Sequence, residues 1–288
     1  MTDRGSNPQT WVAQEPASHP PHGPAEWLRV VLRGAPLAVV VFGCLGLLLM
    51  VRLIERPFFG LRRPVTPYIT QFVCRTAFVL LGMGYRTIGA PMSQPGAVVA
   101  NHASWLDIFA LNAAKRIYFV SKSEVAAWPG IGWLARATGT VFIRRDPKAA
   151  REQLAVFQGR LAAGHKLLFF PEGTSTDGLR VLPFKPTLFA AFLSPELRPT
   201  MWIQPVTVIY EAPEGADPRF YGWWGDMDFG PHLLSTLAAR RQGRVTVRYH
   251  DPVRAADVSD RKALATLLER QVRAGLVEAG VGAEPITV

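Results

Sequence analysis

Residues 98–109 read VVANHASWLDIF, an apolar, β-branched run that stops at Asn101-His102 and gives way to a helical pattern carrying Asp107. A buried strand that turns directly into a helix is the building unit of layered α/β proteins. The same alternation extends outward on both sides. Short β-branched runs at 85–89, 97–100, 117–121, 140–144, 166–170, 203–210 and 244–250 predict strands. Helical periodicity predicts helices near 104–114, 148–163, 232–241 and 258–279, with no internal repeat. The expected fold is α/β, with a mixed, largely parallel sheet flanked by helices.

His102 and Asp107 pose a geometric question. Residues five apart on one helix are separated by about 140° around its axis, so the pair can meet only if the histidine precedes the helix. Ser104 suits an N-cap, and Asp107 holds the acidic position of the capping box [ST]-x-x-[DE]. His102 then sits on the strand-to-helix loop. There it can act as a general base, with Asp107 holding its tautomer. By spacing alone, a helix cap beside an ordinary loop histidine is the favoured account of the residues.

A second strand-and-turn unit follows in KLLFFPEGTSTDG, residues 166–178, with Glu172 at the turn. Gly173 allows close approach of a ligand to the backbone, and Glu172 is expected to accept a hydrogen bond from a substrate hydroxyl. Between the two units, GTVFIRRD (139–146) ends a strand on Arg144 and Arg145, guanidiniums suited to phosphate or carboxylate. Parallel sheets bind ligands at the carboxyl ends of their strands, which is where all three turns fall.

The chain has 288 residues and a net charge of +10, which favours an anionic partner. No helix-turn-helix, RNP-type or zinc-finger spacing accompanies the charge, so nucleic acid is not expected. A hydrophobic content of 49 % turns the reading toward a membrane. Two cysteines, Cys44 and Cys74, suggest neither a disulfide framework nor a cysteine metal site.

Three regions follow. Residues 1–26 read as a disordered leader, rich in Pro, His and Ser. Residues 27–84 read as a membrane-associated helical region, and 85–288 as the catalytic domain. The uncharged stretch 35–51 lies at the short end of the about 17–25 residues that span a bilayer, so it can cross or lie shallow. If it crosses, Arg52, Arg56, Arg62, Arg63 and Arg75 outnumber Arg4, Arg29 and Arg33, placing the C-terminal bulk in the cytoplasm. A second amphipathic stretch sets Phe72, Thr76, Val79, Leu80 and Met83 at helical spacing. It either joins a membrane-docking platform or packs into the domain core.

In order and spacing, NHASWLD, GTVFIRRD, FFPEGTSTDG and the Pro-centred strand IQPVTV resemble the four motif blocks of the glycerolipid acyltransferases of the lysophosphatidic acid type. The resemblance covers roughly residues 85–250. It implies transfer of a fatty acyl group to a lysolipid hydroxyl at the cytoplasmic face of the inner membrane. The donor is a thioester of acyl carrier protein or coenzyme A, with no cofactor and no metal. The catalytic pair falls on His102 and Asp107. The substrate-binding blocks fall on Arg144 and Arg145 and on Glu172, Gly173 and Thr174. Lys122 resembles the first residue of the family's Lys-x-Glu element, and Lys185 its Phe-Lys element. The acceptor expected first for this chain is 1-acyl-glycerol-3-phosphate, giving phosphatidic acid, with a lyso-ornithine lipid as the alternative or an additional acceptor. Ser175-Thr176-Asp177 replaces the usual arginine, however, and resembles the branch that acylates lyso-ornithine lipids, with Asp177 available to an amine. Backbone N–H groups near the second block or the His-Asp turn are expected to hold the oxyanion.

Three rivals have weaker support. GTSTD misses the hydrolase pattern G-x-S-x-G at its last residue, and GIGWLA lacks the preceding strand of a dinucleotide site. A noncatalytic lipid-binding protein would use the same charge, the apolar N-terminal stretch and an exposed Trp223-Trp224 pair.

Overall fold

A computed structural model describes residues 20–128, 130–143 and 150–281, together with Trp11 and Ala13. Each of the seven expected strands forms, as β1 (Gly84–Ile88), β2 (Gly96–Ala100), β3 (Tyr118–Lys122), β4 (Val141–Ile143), β5 (Leu167–Phe169), β6 (Trp202–Glu211) and β7 (Arg244–Tyr249). A short β8 (Val253–Arg254), which no periodicity announces, pairs with β6. The order across the sheet is β1-β7-β6-β2-β5-β3-β4. Pairing is parallel except where β6 meets β7 and β8.

β2 lies between β5 and β6 and is buried along its whole length, which explains its unbroken apolar sequence. Its residues alternate between two cores. Val98 and Ala100 join Val206, Val208 and Tyr210 on one face, and Ala97 and Val99 join Leu167, Phe169 and Ile209 on the other. The first core is covered by α1 (Pro24–Phe59), α2 (Thr66–Leu81), α3 (Asp107–Ala114) and α6 (Phe229–Ala238). The second is covered by α5 (Ala150–Ala162) and α7 (Arg261–Glu278), with the 3-10 segment Pro186–Leu193 supplying Phe189 and Phe192. The remaining helix, α4 (Ile131–Thr138), precedes β4.

Three sequence expectations are adjusted. α3 starts at Asp107 rather than 104, because residues 104–107 first form a turn: the Ser104 hydroxyl accepts from Leu106 N, and the Ser104 carbonyl from Asp107 N. α2 packs into the domain core through Cys74, Ala77, Phe78 and Leu81, while Phe72 and Val79 face outward. Trp224 is buried rather than exposed, and Trp11 of the leader lies against it with ring centroids 5.9 Å apart.

α1 is 36 residues long, roughly 54 Å at about 1.5 Å per residue, so the apolar stretch is the middle of a much longer helix. It is fastened to the domain near both ends. Arg29 donates to the Ala238 carbonyl, and Arg33 to those of Leu237 and Ala239, satisfying carbonyls at the buried C-terminus of α6. At the far end, buried Glu55 accepts from Val65 N, Thr66 N and Thr66 Oγ1 and so caps α2 from another helix. Between these ties Val39, Phe42, Met50, Leu53 and Ile54 are exposed.

Candidate active site

The site forms where β2 and β5, adjacent and parallel, release their chains at the same edge of the sheet. After Ala100 the backbone of β2 turns away from β6, and Asn101 extends the pairing with its side chain. Its amide donates to the Val208 carbonyl at 2.9 Å and accepts from Val208 N at 2.8 Å. A carboxamide has the donor and acceptor of one peptide unit, so asparagine adds a rung that the turning backbone cannot supply. That rung fixes the direction in which the next residue, His102, leaves the sheet.

His102 Nδ1 lies 2.7 Å from Asp107 Oδ2. The same oxygen accepts from Ala103 N at 2.8 Å and Ser104 N at 3.1 Å, and Oδ1 accepts from the Tyr210 hydroxyl at 2.7 Å. Four donors thus surround a fully buried carboxylate, as a charge removed from water requires. Burial pushes the Tyr210 hydroxyl far above its ordinary range, so it keeps its proton and donates. A carboxylate on Nδ1 makes that nitrogen the N–H of the ring and leaves the Nε2 lone pair to accept a proton. Nε2 has no bond among the described residues, and the side chain retains 23 % exposure.

The third block clamps the backbone of the same histidine. Glu172 Oε1 accepts from His102 N at 2.8 Å, and Thr176 N donates to the His102 carbonyl at 2.8 Å. Glu172 Oε2 accepts from Leu182 N at 2.8 Å. Phe170 stacks on the imidazole, ring centroids 4.0 Å apart. Gly173 has φ 75°, a left-handed conformation that closes the turn through its N–H to the Phe170 carbonyl. Glu172 is 1 % exposed, and each of its oxygens faces a backbone donor, so the geometry gives it a positioning task rather than the substrate contact expected from the sequence. Burial pushes its carboxyl up, to about 8, against the pull of the two backbone donors and with Asp107 adding to the rise.

The comparisons with known proteins bear on this geometry directly. The sequence model of the acyltransferase family matches residues 86–209, which contain both blocks of the clamp. A lyso-ornithine lipid O-acyltransferase of Rhodobacter capsulatus is 57 % identical over 92 % of this chain and 96 % of its own length. The chain belongs to the acyltransferase family. A second lyso-ornithine lipid O-acyltransferase, from Brucella abortus, is 37 % identical over 78 % of this chain and 86 % of its own. A 1-acyl-sn-glycerol-3-phosphate acyltransferase of Neisseria gonorrhoeae is 33 % identical over 64 % and 71 %. Among solved structures, a 1-acyl-sn-glycerophosphate acyltransferase from Thermotoga maritima shares the fold, with a TM-score of 0.62 over 90 % of this chain and 98 % of that one, at 22 % identity.

The acyltransferase brings some of the other expected residues toward the pair. The Lys185 backbone N–H bonds the Pro171 carbonyl, which holds the Phe-Lys element against the Glu172 turn. Lys122 ends β3 in register with Ile143 at the end of β4. Arg144 and Arg145, which come next, lie outside the described residues. Thr174 is half-buried on the turn, its hydroxyl 3.4 Å from the Ser175 carbonyl. Asp177 is 3 % exposed and paired with Arg180 at 3.0 Å, so the amine contact proposed for it meets an occupied carboxylate. The N–H groups of Ala103 and Ser104 are likewise engaged by Asp107 and are not free for an oxyanion.

The sequence does not announce the bonds of Asn101 and Tyr210, nor that Thr176 and Trp223 bond the backbone of His102 and Ala103. Trp223 N donates to the Ala103 carbonyl, and its ring meets Trp128 edge-on at 6.4 Å. The signal for Tyr210 was present in the period-two pattern of Val206, Val208 and Tyr210. What that pattern lacks is the partner, since β6 reaches under the Asp107 helix only because it runs parallel to β2 and continues five residues past it.

Proposed function

We propose that this acyltransferase moves a fatty acyl group from a thioester of acyl carrier protein or coenzyme A to the hydroxyl of a lyso-ornithine lipid, with His102 as general base. The observation that carries the chemistry is the outward Nε2 of an imidazole held by a buried, four-donor carboxylate. Nε2 takes the proton of the acceptor hydroxyl while its oxygen forms a bond to the thioester carbonyl carbon. Collapse of the tetrahedral adduct breaks the C–S bond, and the imidazolium returns the proton to the thiolate. Asp107 accepts from Nδ1–H and stabilises the imidazolium. The thioester is already activated, so no further cofactor is required.

The choice of acceptor is supported by the relative at 57 % identity. Lysophosphatidic acid remains a second acceptor, favoured by the Neisseria relative and by the two arginines of the second block. Acyl transfer by purified protein in detergent, with both lysolipids offered in parallel, separates them. Preference for lyso-ornithine lipid is expected, with His102→Ala inactive toward either; an equally active variant would sink the general-base role.

The helical region is proposed to dock the enzyme on the cytoplasmic face of the inner membrane with α1 lying in the interface. Arg33 and Glu55, at the two ends of the exposed apolar stretch, are both bonded to the same globular body. A helix crossing the bilayer cannot keep both ends on one side. A cysteine placed in the leader should therefore resist labelling from outside intact cells, and labelling would refute the in-plane arrangement.

A further inference from the structure

The amino ends of the strands, opposite the candidate active site, surround a second cavity of about 500 Å³. Lys115 and Arg116 lie just before β3, and His165 and Lys166 just before β5. Arg62 and Arg63, from the connection between α1 and α2, close it. Five of these six are lysine or arginine, and no residue lining the cavity is acidic.

The charges crowd one another. Burial and then Lys115 lower Lys166 to about 8, and burial followed by Arg160 and Arg63 hold His165 down, to about 4. His165 is 5 % exposed, and neither ring nitrogen has a hydrogen-bond partner among the described residues. The Leu61 carbonyl is close enough to favour its charged form but lies outside hydrogen-bond geometry. A buried imidazole with two idle nitrogens costs the fold free energy unless something supplies the missing partner. The ring is fixed by stacking on Tyr118, centroids 4.0 Å apart, so the nitrogens stay in place.

The rim is apolar rather than polar. Phe58, Phe59, Leu61, Val65 and Tyr68 are exposed around the connection, and Arg116 lies 4.0 Å above the Tyr68 ring. Cations beneath a ring of exposed aromatic and aliphatic side chains match the level at which lipid phosphates sit above acyl chains.

We propose that this cavity binds the phosphate of an anionic glycerophospholipid headgroup, at a site separate from the one that transfers the acyl group. The lipid source rests on the in-plane membrane face argued above, whereas phosphate binding does not. The bound headgroup would neutralise the cation cluster and hold α1 and α2 level with the bilayer surface.

Two measurements on the full chain test this. In thermal unfolding, inorganic phosphate is expected to raise the melting temperature above that in chloride of equal ionic strength. The rise should vanish in Lys115→Gln/Arg116→Gln. In vesicle binding, wild type should prefer phosphatidylcholine mixed with phosphatidylglycerol over phosphatidylcholine alone. The double variant should lose about thirtyfold of that preference, taking about 1 kcal/mol for each of its two basic residues near the surface. Arg261→Gln/Lys262→Gln, at the start of α7 and outside the cavity lining, should retain it. No phosphate effect, or equal losses in the two double variants, overturns the site in favour of diffuse charge. Phosphate protection without a vesicle preference overturns the lipid assignment and leaves a site for free phosphate.

Discussion

At the scale of single residues, the site is a histidine gripped through its backbone by one motif and through its ring by another. His102→Ala removes the proposed base, and turnover should fall by roughly 10²–10⁴, the usual range for general-base catalysis. Tyr210→Phe leaves Asp107 Oδ1 without its hydroxyl donor. The expected cost is about 1–3 kcal/mol of stability and a smaller loss of turnover, both measurable in one preparation. Glu172→Gln replaces one acceptor oxygen with a donor, so either His102 N or Leu182 N loses its partner. Its pH behaviour is distinctive. The folded carboxyl titrates near 8 and the unfolded one near 4.5, so between those values the folded state holds more protons and stability falls as pH rises. Melting curves of wild type across that window should show this fall, and those of Glu172→Gln should lack its share; identical slopes would contradict the buried, uphill carboxyl.

At the scale of elements, α1 and the β2 turn illustrate different kinds of information. The strand-turn-helix at 98–109 is local: apolar alternation, a polar break and a helical face are all within twelve residues, and both strand and helix form where the sequence puts them. The role of α1 is not local. Its apolar middle satisfies length rules for crossing a bilayer, yet Arg29 and Arg33 reach partners at 237–239 that no window contains, and Glu55 turns inward to hold the start of the next helix at 65–66. Leu53 and Phe58 are 77 % and 78 % exposed on its outer side. Replacing both with aspartate removes about 1.5–3 kcal/mol of apolar insertion per side chain. Release from vesicles with unchanged turnover in detergent is the expected result, measured by flotation; undiminished membrane binding would rule out this face.

At the scale of the whole molecule, the helical region and the catalytic domain share one core. Val30 and Leu37 of α1 and Phe78 and Leu81 of α2 belong to the same cluster as Val206 and Val247 of the sheet. A chain beginning at residue 61 should therefore aggregate or melt at lower temperature than the full chain, because it uncovers α6 and leaves the start of α2 uncapped. A soluble, active fragment would show instead that α1 is a dispensable anchor. The sequence by itself determined the strands and the placing of His102 ahead of its helix, because alternation and turn residues act over a few residues, and the kind of chemistry was legible through the resemblance of its four motif blocks to the glycerolipid acyltransferases. Only the tertiary structure decided that Glu172 holds the His102 backbone, that Tyr210 completes the Asp107 site, that Asp177 is already paired, and that both ends of α1 return to one body. These outcomes depend on which strands lie side by side and on what burial leaves without water, and both are properties of residues far apart in the chain.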